Sequence, residues 1–331
     1  PAADRRVTPL TGVLLVGGAS ERFGAPKALA RFRGETLAGR GHRLLAEACD
    51  EVLVVGKRSD VLPLDVLDDG TDSRAPVHGV IAGLRAARHQ VAVVLPVDVP
   101  LITPGALRAL GDTAAVPSSV IPLPGAYPRT LLPVLEARAA AGELSLRGVN
   151  PATLELPDGL LRDADTPDVL LDLERPGHAL VVGGTGMLAA TTRALADRGH
   201  AVTCIARHSA DLGDGVGVEP VDYRDPVGLR EALARSIEAR GPMELAVCWI
   251  HTDAPDAPRI VADALAPGAR LVQVFGTRVW PLVDVPLHVA YRQVLLGSAH
   301  GRWLNHEEIS SGVLNAVDTD RPLTVVGDRP G

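Results

Sequence analysis

Short apolar runs alternate with stretches of helical periodicity along the first half of the chain. Strands are predicted at 13–16, 52–55, 91–97, 119–121 and 153–156, and helices at 39–48 and 78–87. The run 91–97 is apolar without alternation, which is typical of a strand covered on both faces. This order of elements predicts an α/β layer with a mainly parallel sheet.

The pattern starts again near residue 175. A breaker cluster, Glu174-Arg175-Pro176-Gly177, precedes a fresh alternation of strands and helices. Strands are predicted at 179–182, 202–206, 245–250 and 270–275, and helices at 187–198, 226–240 and 258–266. We therefore expect two domains, 1–174 and 175–331, and an α/β fold class: two Rossmann-like three-layer domains with mainly parallel sheets.

Composition narrows the possible partners. The 331 residues carry a formal net charge of −7, which argues against a nucleic-acid groove. Cys49, Cys204 and Cys248 lie far apart without CxxC spacing, which favours a reducing compartment. No apolar run approaches about 18 residues, and the start has no apolar signal core. We therefore expect a soluble, cytoplasmic protein that acts on small molecules.

A glycine-rich loop follows the first predicted strand. Gly17, Gly18 and Gly24 let backbone N–H groups approach an anion closely, and Arg22 and Lys27 add side-chain donors. The loop is not a Walker A motif, because no Gly-Lys-Ser/Thr follows at the required spacing. The loop therefore predicts a site for a polyphosphate.

Lysine is rare in this chain. The 33 lysine and arginine residues include only two lysines, Lys27 and Lys57. Where arginine is the usual cation, a lysine within a glycine-rich loop suggests that a compact ammonium is needed there.

A carboxylate follows the third predicted strand. Asp98 lies in Pro96-Val97-Asp98-Val99-Pro100, so prolines restrict the backbone on both sides. The end of a parallel strand is where α/β folds place ligands, and Mg²⁺ prefers such oxygen donors. Asp98 is therefore a candidate metal ligand, with an ordinary turn or helix-cap aspartate as the alternative.

The loop resembles the signature of a known family. The motif Leu15-x-Gly17-Gly18-x-Ser20-x-Arg22-x-Gly24-x-x-Lys27 is similar to that of the MobA-like nucleotidyltransferases, which include molybdenum cofactor guanylyltransferases and cytidylyltransferases. The resemblance covers residues 11 to about 172. It implies a Mg²⁺-dependent transfer of NMP from GTP or CTP to a small phosphorylated acceptor such as molybdopterin, with release of pyrophosphate. It assigns nucleotide binding to Leu15, Gly17, Gly18, Ser20 and Gly24, and catalysis to Arg22, Lys27 and Asp98.

Three further positions follow from this resemblance, each with an alternative. Asp165, in Asp163-Ala-Asp165-Thr166-Pro167-Asp168, is similar to a second metal ligand, whereas Thr166, Pro167 and Asp168 also look like a helix start. Gly79 resembles a glycine near the nucleotide, but Gly79 and Gly83 at helical spacing also permit close helix packing. Asp68 or Asp69 could bind the base or sugar, or lie in a solvated turn.

The chain also departs from the family pattern in two places. Ala25 and Pro26 replace the less rigid, often acidic residues that commonly precede the lysine. The region 111–127, where family members bind their acceptor, is compact. The resemblance is therefore stronger for the nucleotide than for the acceptor.

The second half contains a dinucleotide-binding pattern. A strand leads into Gly183-Gly184-Thr185-Gly186-Met187 and then a helix, so we expect Gly183, Thr185, Gly186 and Met187 to contact a pyrophosphate. Arg207 follows the next strand where NAD enzymes carry an acid, which favours NADP(H), and Asp222 is a candidate contact to adenine. Over roughly 177–320 this half resembles the short-chain dehydrogenase/reductase family.

The catalytic pair of that family is missing. Its Tyr-x-x-x-Lys pattern fails because Leu295 follows Tyr291 four residues later, and no lysine occurs after Lys57. The stretch after Tyr291 looks like an apolar strand, and Thr277 is a poor match to the family's serine.

Three interpretations of the second half stay open. It binds NADP without turnover, as a structural or regulatory module; it reduces a metabolite with His251, His288 or Arg278 as proton donor; or it is a vestigial fold kept for homo-oligomerisation. His306-Glu307-Glu308 is not a zinc motif and is better explained as a helix start.

Overall fold

A computed structural model describes residues 8–17, 23, 26–57, 62–276, 283–299 and 301–328. The chain divides into two compact units, Pro1–Leu173 and Glu174–Gly331. Each unit is described by itself below. Among the described residues, no helix is long and apolar enough to cross a membrane.

Unit 1 is a layer of strands with helices on both faces. Its strands are β1 (Leu10–Leu15), β2 (Arg31–Phe32), β3 (Glu35–Thr36), β4 (Glu51–Gly56), β5 (Val66–Asp68), β6 (Val91–Pro96) and β7 (Gly125–Pro128). Its α-helices are α1 (Leu37–Ala48), α2 (Pro76–Ala86), α3 (Pro104–Thr113), α4 (Leu132–Ala140) and α5 (Pro167–Glu174). Three short 3₁₀ helices cover Lys27–Leu29, Arg129–Leu131 and Asp158–Leu161.

The main sheet of unit 1 has the order β5-β4-β1-β6-β7. β7 pairs with β6 antiparallel, and the other neighbours pair parallel. All six residues of β1 are buried. The four inner residues of β6 are also buried, which confirms the prediction of a strand covered on both faces at 91–97. The predicted strand at 119–121 is wrong, because this segment lies in a bend, and 153–156 contributes only an isolated bridge between Thr153 and Val116.

Two glycines bring α2 against β1. A Cβ added to Gly79 would lie 2.7 Å from Leu15 Cδ2, and one added to Gly83 would lie 2.7 Å from Val13 Cγ1. A larger residue at either position would displace these side chains of β1. The structure therefore shows the close packing that the two glycines permit, and the predicted nucleotide contact of Gly79 stays a prediction.

Unit 2 is a doubly wound domain. Its strands are β8 (His178–Val182), β9 (Ala201–Ala206), β10 (Val216–Pro220), β11 (Met243–Cys248), β12 (Leu265–Phe275), β13 (Ala290–Leu296), β14 (Ser298–Ala299), β15 (Arg302–Trp303) and β16 (Leu323–Val326). Its helices are α6 (Ala189–Asp197), α7 (Pro226–Arg240), α8 (Ala257–Asp263) and α9 (His306–Thr319). The main sheet is parallel, with the order β10-β9-β8-β11-β12-β13-β16. This order reverses between β8 and β11, as in dinucleotide-binding Rossmann folds, so the α/β fold class is confirmed.

A buried ion pair lies beneath α9. Arg292 on β13 donates from Nε to Asp320 Oδ1 at 2.7 Å, and the two side chains are only 2% and 0% exposed. Asp320 ends α9 in the left-handed region, with φ of 50°. Because both charges are out of water, each depends on the other for its stability.

We predict that Asp320→Asn lowers the free energy of unfolding of unit 2 by about 3 kcal/mol, since it leaves the Arg292 charge buried without its counter-charge. Asparagine tolerates the left-handed backbone, so the charge is the main change. All three tryptophans, Trp249, Trp280 and Trp303, lie in unit 2, so tryptophan fluorescence during urea unfolding of the full chain reports on this unit.

The matched control is Asp318→Asn. Asp318 pairs with Arg198 at 2.8 Å, but both side chains are substantially exposed. We expect its effect to stay within about 0.5 kcal/mol. Equal losses for the two variants would contradict the importance of the buried pair.

Candidate nucleotide and metal site

The carboxyl ends of three parallel strands meet at one edge of unit 1. β1 lies between β4 and β6, so the strand order reverses at β1. Backbone hydrogen bonds continue past the strand ends, from Val16 N to Val55 O at 2.9 Å and from Val97 N to Leu15 O at 3.3 Å. Open α/β sheets bind ligands in the crevice at such a point.

Lys27, Asp98 and Asp165 converge in this crevice. The Nζ of Lys27 donates to Asp98 Oδ2 at 3.0 Å and to Asp165 Oδ1 at 2.9 Å. The Lys27 side chain is 13% exposed, whereas Asp98 and Asp165 are 27% and 47% exposed. The structure thus brings together three predicted site residues. Asp98 lies 71 positions after Lys27 in the sequence, and Asp165 lies 138 positions after it.

Backbone contacts fix the three positions. Lys27 begins a 3₁₀ turn in which Ala30 N donates to Lys27 O at 3.0 Å. Asp98 lies two residues after the end of β6, and its carbonyl accepts from Ala164 N at 2.7 Å. This last bond holds the segment that carries Asp165 beside Asp98.

A small apolar cluster lies among the same segments. It includes three residues that are each close in sequence to one of the charged residues: Ala30, Val97 and Ala164. Its other members are Phe23, Phe32, Leu37, Leu101, Val169, Leu170 and Leu173. Burial of this cluster therefore helps to hold the backbone segments that carry Lys27, Asp98 and Asp165.

Arg40 is a positioning residue that the sequence did not reveal. It is 3% exposed, donates from Nε to Pro100 O at 2.7 Å and lies 5.2 Å from the Phe32 ring centre. Its Nη1 also donates to Glu35 at 3.2 Å. Arg40 therefore holds the end of the proline-flanked segment that carries Asp98, and a single arginine within α1 gives no sequence signal for this contact.

The ammonium of Lys27 is stabilised in its charged form. Burial by itself lowers the pKa of Lys27, but hydrogen bonds to Asp165 and Asp98, together with their negative charges, outweigh burial. The pKa of Lys27 consequently lies above its ordinary value.

One predicted glycine, Gly17, lies close to the backbone at the end of β4. A Cβ on Gly56, at the end of β4, would lie 2.9 Å from Gly17 N. Leu15, two residues earlier, is 7% exposed and contacts α2 through Gly79. Gly18, Ser20, Arg22 and Gly24 lie outside the described residues.

The second lysine also lies at this edge of the sheet. Lys57 follows β4 and donates to Asp69 Oδ1 at 2.5 Å, and Asp69 is 9% exposed. Asp68 is exposed and accepts from Gly70 N at 2.7 Å within its own turn. Of the two neighbouring acids, Asp69 is the one held toward the protein.

The helix start after Asp165 is also present. Pro167 is the first residue of α5, Asp168 lies in its first turn, and Thr166 Oγ1 accepts from Val169 N at 3.3 Å. The capping interpretation of Thr166 is therefore confirmed, and it coexists with the contact between Asp165 and Lys27.

The donor set at the crevice fits a hard divalent cation. The described part of the chain contains no group of three or more His, Cys, Asp or Glu side chains placed to hold a metal ion. Asp98 and Asp165 alone offer two carboxylates on one point, and both are partly exposed. Mg²⁺ is usually held by one or two carboxylates together with substrate phosphates, so these two residues could hold it.

In unit 2, the turn after β8 carries the residues that are predicted to contact a dinucleotide. Gly183 has φ of +80°, and a Cβ there would lie 3.2 Å from Trp249 O. A Cβ on Gly186 would have no described heavy atom within 4 Å beyond its own chain neighbours, and Thr185 beside it is exposed. The backbone of this turn is therefore open on the side of Gly186, next to Met187.

The two predicted selectivity residues differ in their surroundings. Arg207 is exposed just after β9. Asp222 accepts from Arg224 N at 3.0 Å and so supports its own loop. Their predicted contacts to a 2′-phosphate and to adenine stay predictions.

Tyr291 lies on a strand, as its sequence context predicted. It is the second residue of β13, and its hydroxyl donates to Gln273 Oε1 at 3.0 Å. Burial raises the pKa of Tyr291 to about 12, so it is poorly suited to give up a proton near neutral pH.

The proposed histidine proton donors have structural partners. His251 Nε2 accepts from Trp249 Nε1 at 3.1 Å, and His288 Nε2 lies 3.3 Å from Leu265 O. His306 is the first residue of α9, which confirms the helix-start interpretation. Arg278 and Thr277 lie outside the described residues.

Comparison with known proteins identifies the family. The MobA-like NTP transferase domain matches residues 12–151. The molybdenum cofactor guanylyltransferase of Pseudomonas syringae pv. syringae is 33% identical over 184 residues, covering 49% of this chain and 92% of that protein. The chain belongs to the MobA-like NTP transferase family. The family assignment rests on unit 1, which is therefore a nucleotidyltransferase domain.

Other comparisons give related results. The molybdenum cofactor guanylyltransferase of Pseudomonas putida is 31% identical over 185 residues, covering 50% of this chain and 97% of that protein. The solved structure of molybdopterin-guanine dinucleotide biosynthesis protein A from Archaeoglobus fulgidus has 21% identity and a TM-score of 0.41, covering 50% of this chain and 96% of its own. A short-chain dehydrogenase/reductase from Serratia marcescens has 20% identity and a TM-score of 0.36, covering 46% of this chain and 95% of its own.

We predict a pH-dependent contribution of Lys27 to the stability of unit 1. Lys27→Met should lower the free energy of unfolding by about 2 kcal/mol at pH 8, since it removes two charge-assisted hydrogen bonds. Because the folded pKa is raised, this contribution is fully present below the unfolded value of about 10.4 and is lost as pH rises through the folded value.

Urea unfolding is followed by circular dichroism and by tryptophan fluorescence. Because all three tryptophans lie in unit 2, a transition that changes only the circular dichroism reports on unit 1. The control Arg85→Met removes an exposed cation that pairs with Glu136. It should have little effect at any pH. A loss for Lys27→Met that persists undiminished to the highest pH would contradict the assignment.

Proposed function

We propose that unit 1 transfers GMP from GTP to a small phosphorylated acceptor of the molybdopterin class, with Mg²⁺ as cofactor and release of pyrophosphate. The observation that carries the proposal is the convergence of Lys27, Asp98 and Asp165 where the strand order of the sheet reverses. The names of the similar guanylyltransferases favour GTP over CTP.

The residues divide the work of binding. Lys27 binds phosphate oxygens as a compact point charge, and the glycines of the loop let backbone N–H groups approach the ligand. Asp98 and Asp165 would hold Mg²⁺, whose chemistry is to neutralise the charge of the phosphates. The predicted roles of Arg22, Gly18, Ser20 and Gly24 stay part of the proposal.

The transfer itself is an in-line displacement. A phosphate oxygen of the acceptor forms a bond to the α-phosphorus of GTP while the bond from the α-phosphorus to the bridging oxygen breaks, and pyrophosphate leaves with that electron pair. The protein makes no covalent bond in this reaction. Its contribution is to orient the two substrates and to supply fixed positive charge near the phosphates, which accounts for most of the rate in such sites.

We predict that Lys27→Met and Asp98→Asn each lower guanylate transfer by about 10²–10³-fold or more, because the first removes a positive charge at the reacting phosphates and the second removes a ligand of the proposed Mg²⁺. The assay is pyrophosphate release from GTP, with CTP and ATP tested in parallel and an acceptor panel that includes molybdopterin. The thermal unfolding midpoint of each variant shows whether the chain still folds.

Asp112→Asn is the matched control for the loss of a carboxylate. Asp112 forms a surface pair with Arg108 on α3, and its side chain is 48% exposed. It should retain wild-type transfer. Full activity in folded Lys27→Met or Asp98→Asn would refute the assignment of the site.

A second function is favoured by the turn of unit 2. We infer that it binds NADP(H), supported by the positive φ of Gly183, the open side of Gly186 and the exposed Arg207 after β9. The absent Tyr-x-x-x-Lys pair favours binding without turnover, as a structural or regulatory module. A reductase of the same acceptor and a homo-oligomerisation domain remain the alternatives.

We predict that Gly186→Val abolishes NADPH binding without destabilising unit 2. A Cβ fits at this position, so the variant should fold normally, but its side chain would occupy the space through which the pyrophosphate approaches. Ligand-induced thermal stabilisation, followed by tryptophan fluorescence, measures binding. Wild type should be stabilised more by NADPH than by NADH.

The outcomes separate the alternatives. Acceptor-dependent oxidation of NADPH by wild type would establish the reductase. Absence of any stabilisation by NADPH in wild type would leave homo-oligomerisation, and equal stabilisation of Gly186→Val would contradict the assigned turn.

A further inference from the structure

The ammonium of Lys27 occupies the point on which the two carboxylates converge. Its Nζ lies 3.0 Å from Asp98 Oδ2 and 2.9 Å from Asp165 Oδ1. A divalent cation held by both residues would need their oxygens at about 2.0–2.1 Å, and so would take the same space. The bare cation and the ammonium therefore cannot occupy this position together.

Charge also opposes joint occupancy by the cation and the ammonium. The Lys27 side chain is only 13% exposed, so solvent screens its charge only partly from a second cation at contact distance. For the cation to bind, Lys27 has to leave both carboxylates. In the absence of another anion, that movement would cost the ammonium its hydrogen bonds to Asp98 and Asp165.

A triphosphate supplies the missing anion. Lys27 has a flexible four-carbon stem, so its ammonium can move from carboxylate to phosphate. Its backbone can meanwhile stay in place, held by the hydrogen bonds from Leu29 N to Pro26 O at 2.9 Å and from Ala30 N to Lys27 O at 3.0 Å. Asp98 and Asp165 then become available together.

We propose that Lys27 is an internal counter-ion that keeps a divalent cation off Asp98 and Asp165 until a nucleoside triphosphate draws the ammonium away. Metal and nucleotide consequently bind as a coupled pair, and each raises the affinity for the other by the same factor. The free protein binds the metal weakly. This inference rests on the proposed function of the same site.

The test measures binding of Mn²⁺ alone to the nucleotide-free full chain, by the loss of the electron paramagnetic resonance signal of the aqueous ion. Wild type should bind Mn²⁺ weakly, and Lys27→Met should bind it at least tenfold more tightly, because the carboxylates are then without their internal cation. The double variant Lys27→Met/Asp98→Asn should lose this gain. Arg85→Met, which removes an exposed cation elsewhere in unit 1, should behave like wild type.

Three outcomes would overturn the inference. These are equal Mn²⁺ affinity in wild type and Lys27→Met, a gain that survives in the double variant, and no binding to Lys27→Met although circular dichroism shows it to be folded. None of these readouts requires turnover. Pyrophosphate release by wild type tests the proposed function separately, so the two can fail independently.

Discussion

The ion cluster of Lys27, Asp98 and Asp165 is the constraint on which the site depends. Two carboxylates on one point repel each other, so their approach requires a cation between them and a backbone that holds them there. The cation is the ammonium of Lys27. The backbone is fixed by the bond from Ala164 N to the Asp98 carbonyl and by the apolar cluster around Phe32.

The charged residues of this site could be predicted from the sequence, but the long-range contacts that position them could not. Lys27 and Asp98 belong to local motifs, one in a glycine-rich loop and one between prolines, so their residue types and spacing identify them. Arg40 acts on the same segment through Pro100, sixty positions away, and no local pattern encodes such a contact. Gly79 was ambiguous because packing and ligand approach require the same small residue, and the Leu15 contact reveals the packing.

Unit 2 combines a doubly wound sheet with a sequence that has no Tyr-x-x-x-Lys pair. The strands and the turn at Gly183 follow from apolar runs and glycines that are easily recognised in the sequence. Tyr291, by contrast, lies within β13 and bonds to Gln273, so its hydroxyl is committed to the sheet. The sequence predicted this strand because the residues after Tyr291 are apolar, whereas β10 and β16, which are short and partly exposed, carry too weak a pattern to be foreseen.

The choice of lysine at the cluster follows from what the cation has to do. Lys27 and Lys57 are the two lysines of a chain that otherwise uses arginine, and both lie at the carboxyl edge of the same sheet, each bonded to aspartate. An arginine at position 27 would engage a carboxylate through a planar fork whose geometry suits a permanent pair. A lysine ammonium has no such directional preference and exchanges a carboxylate for a phosphate oxygen with little rearrangement. Lysine is therefore better suited than arginine to a cation with two tasks. It neutralises two carboxylates in the free protein and binds phosphate when the substrate is present.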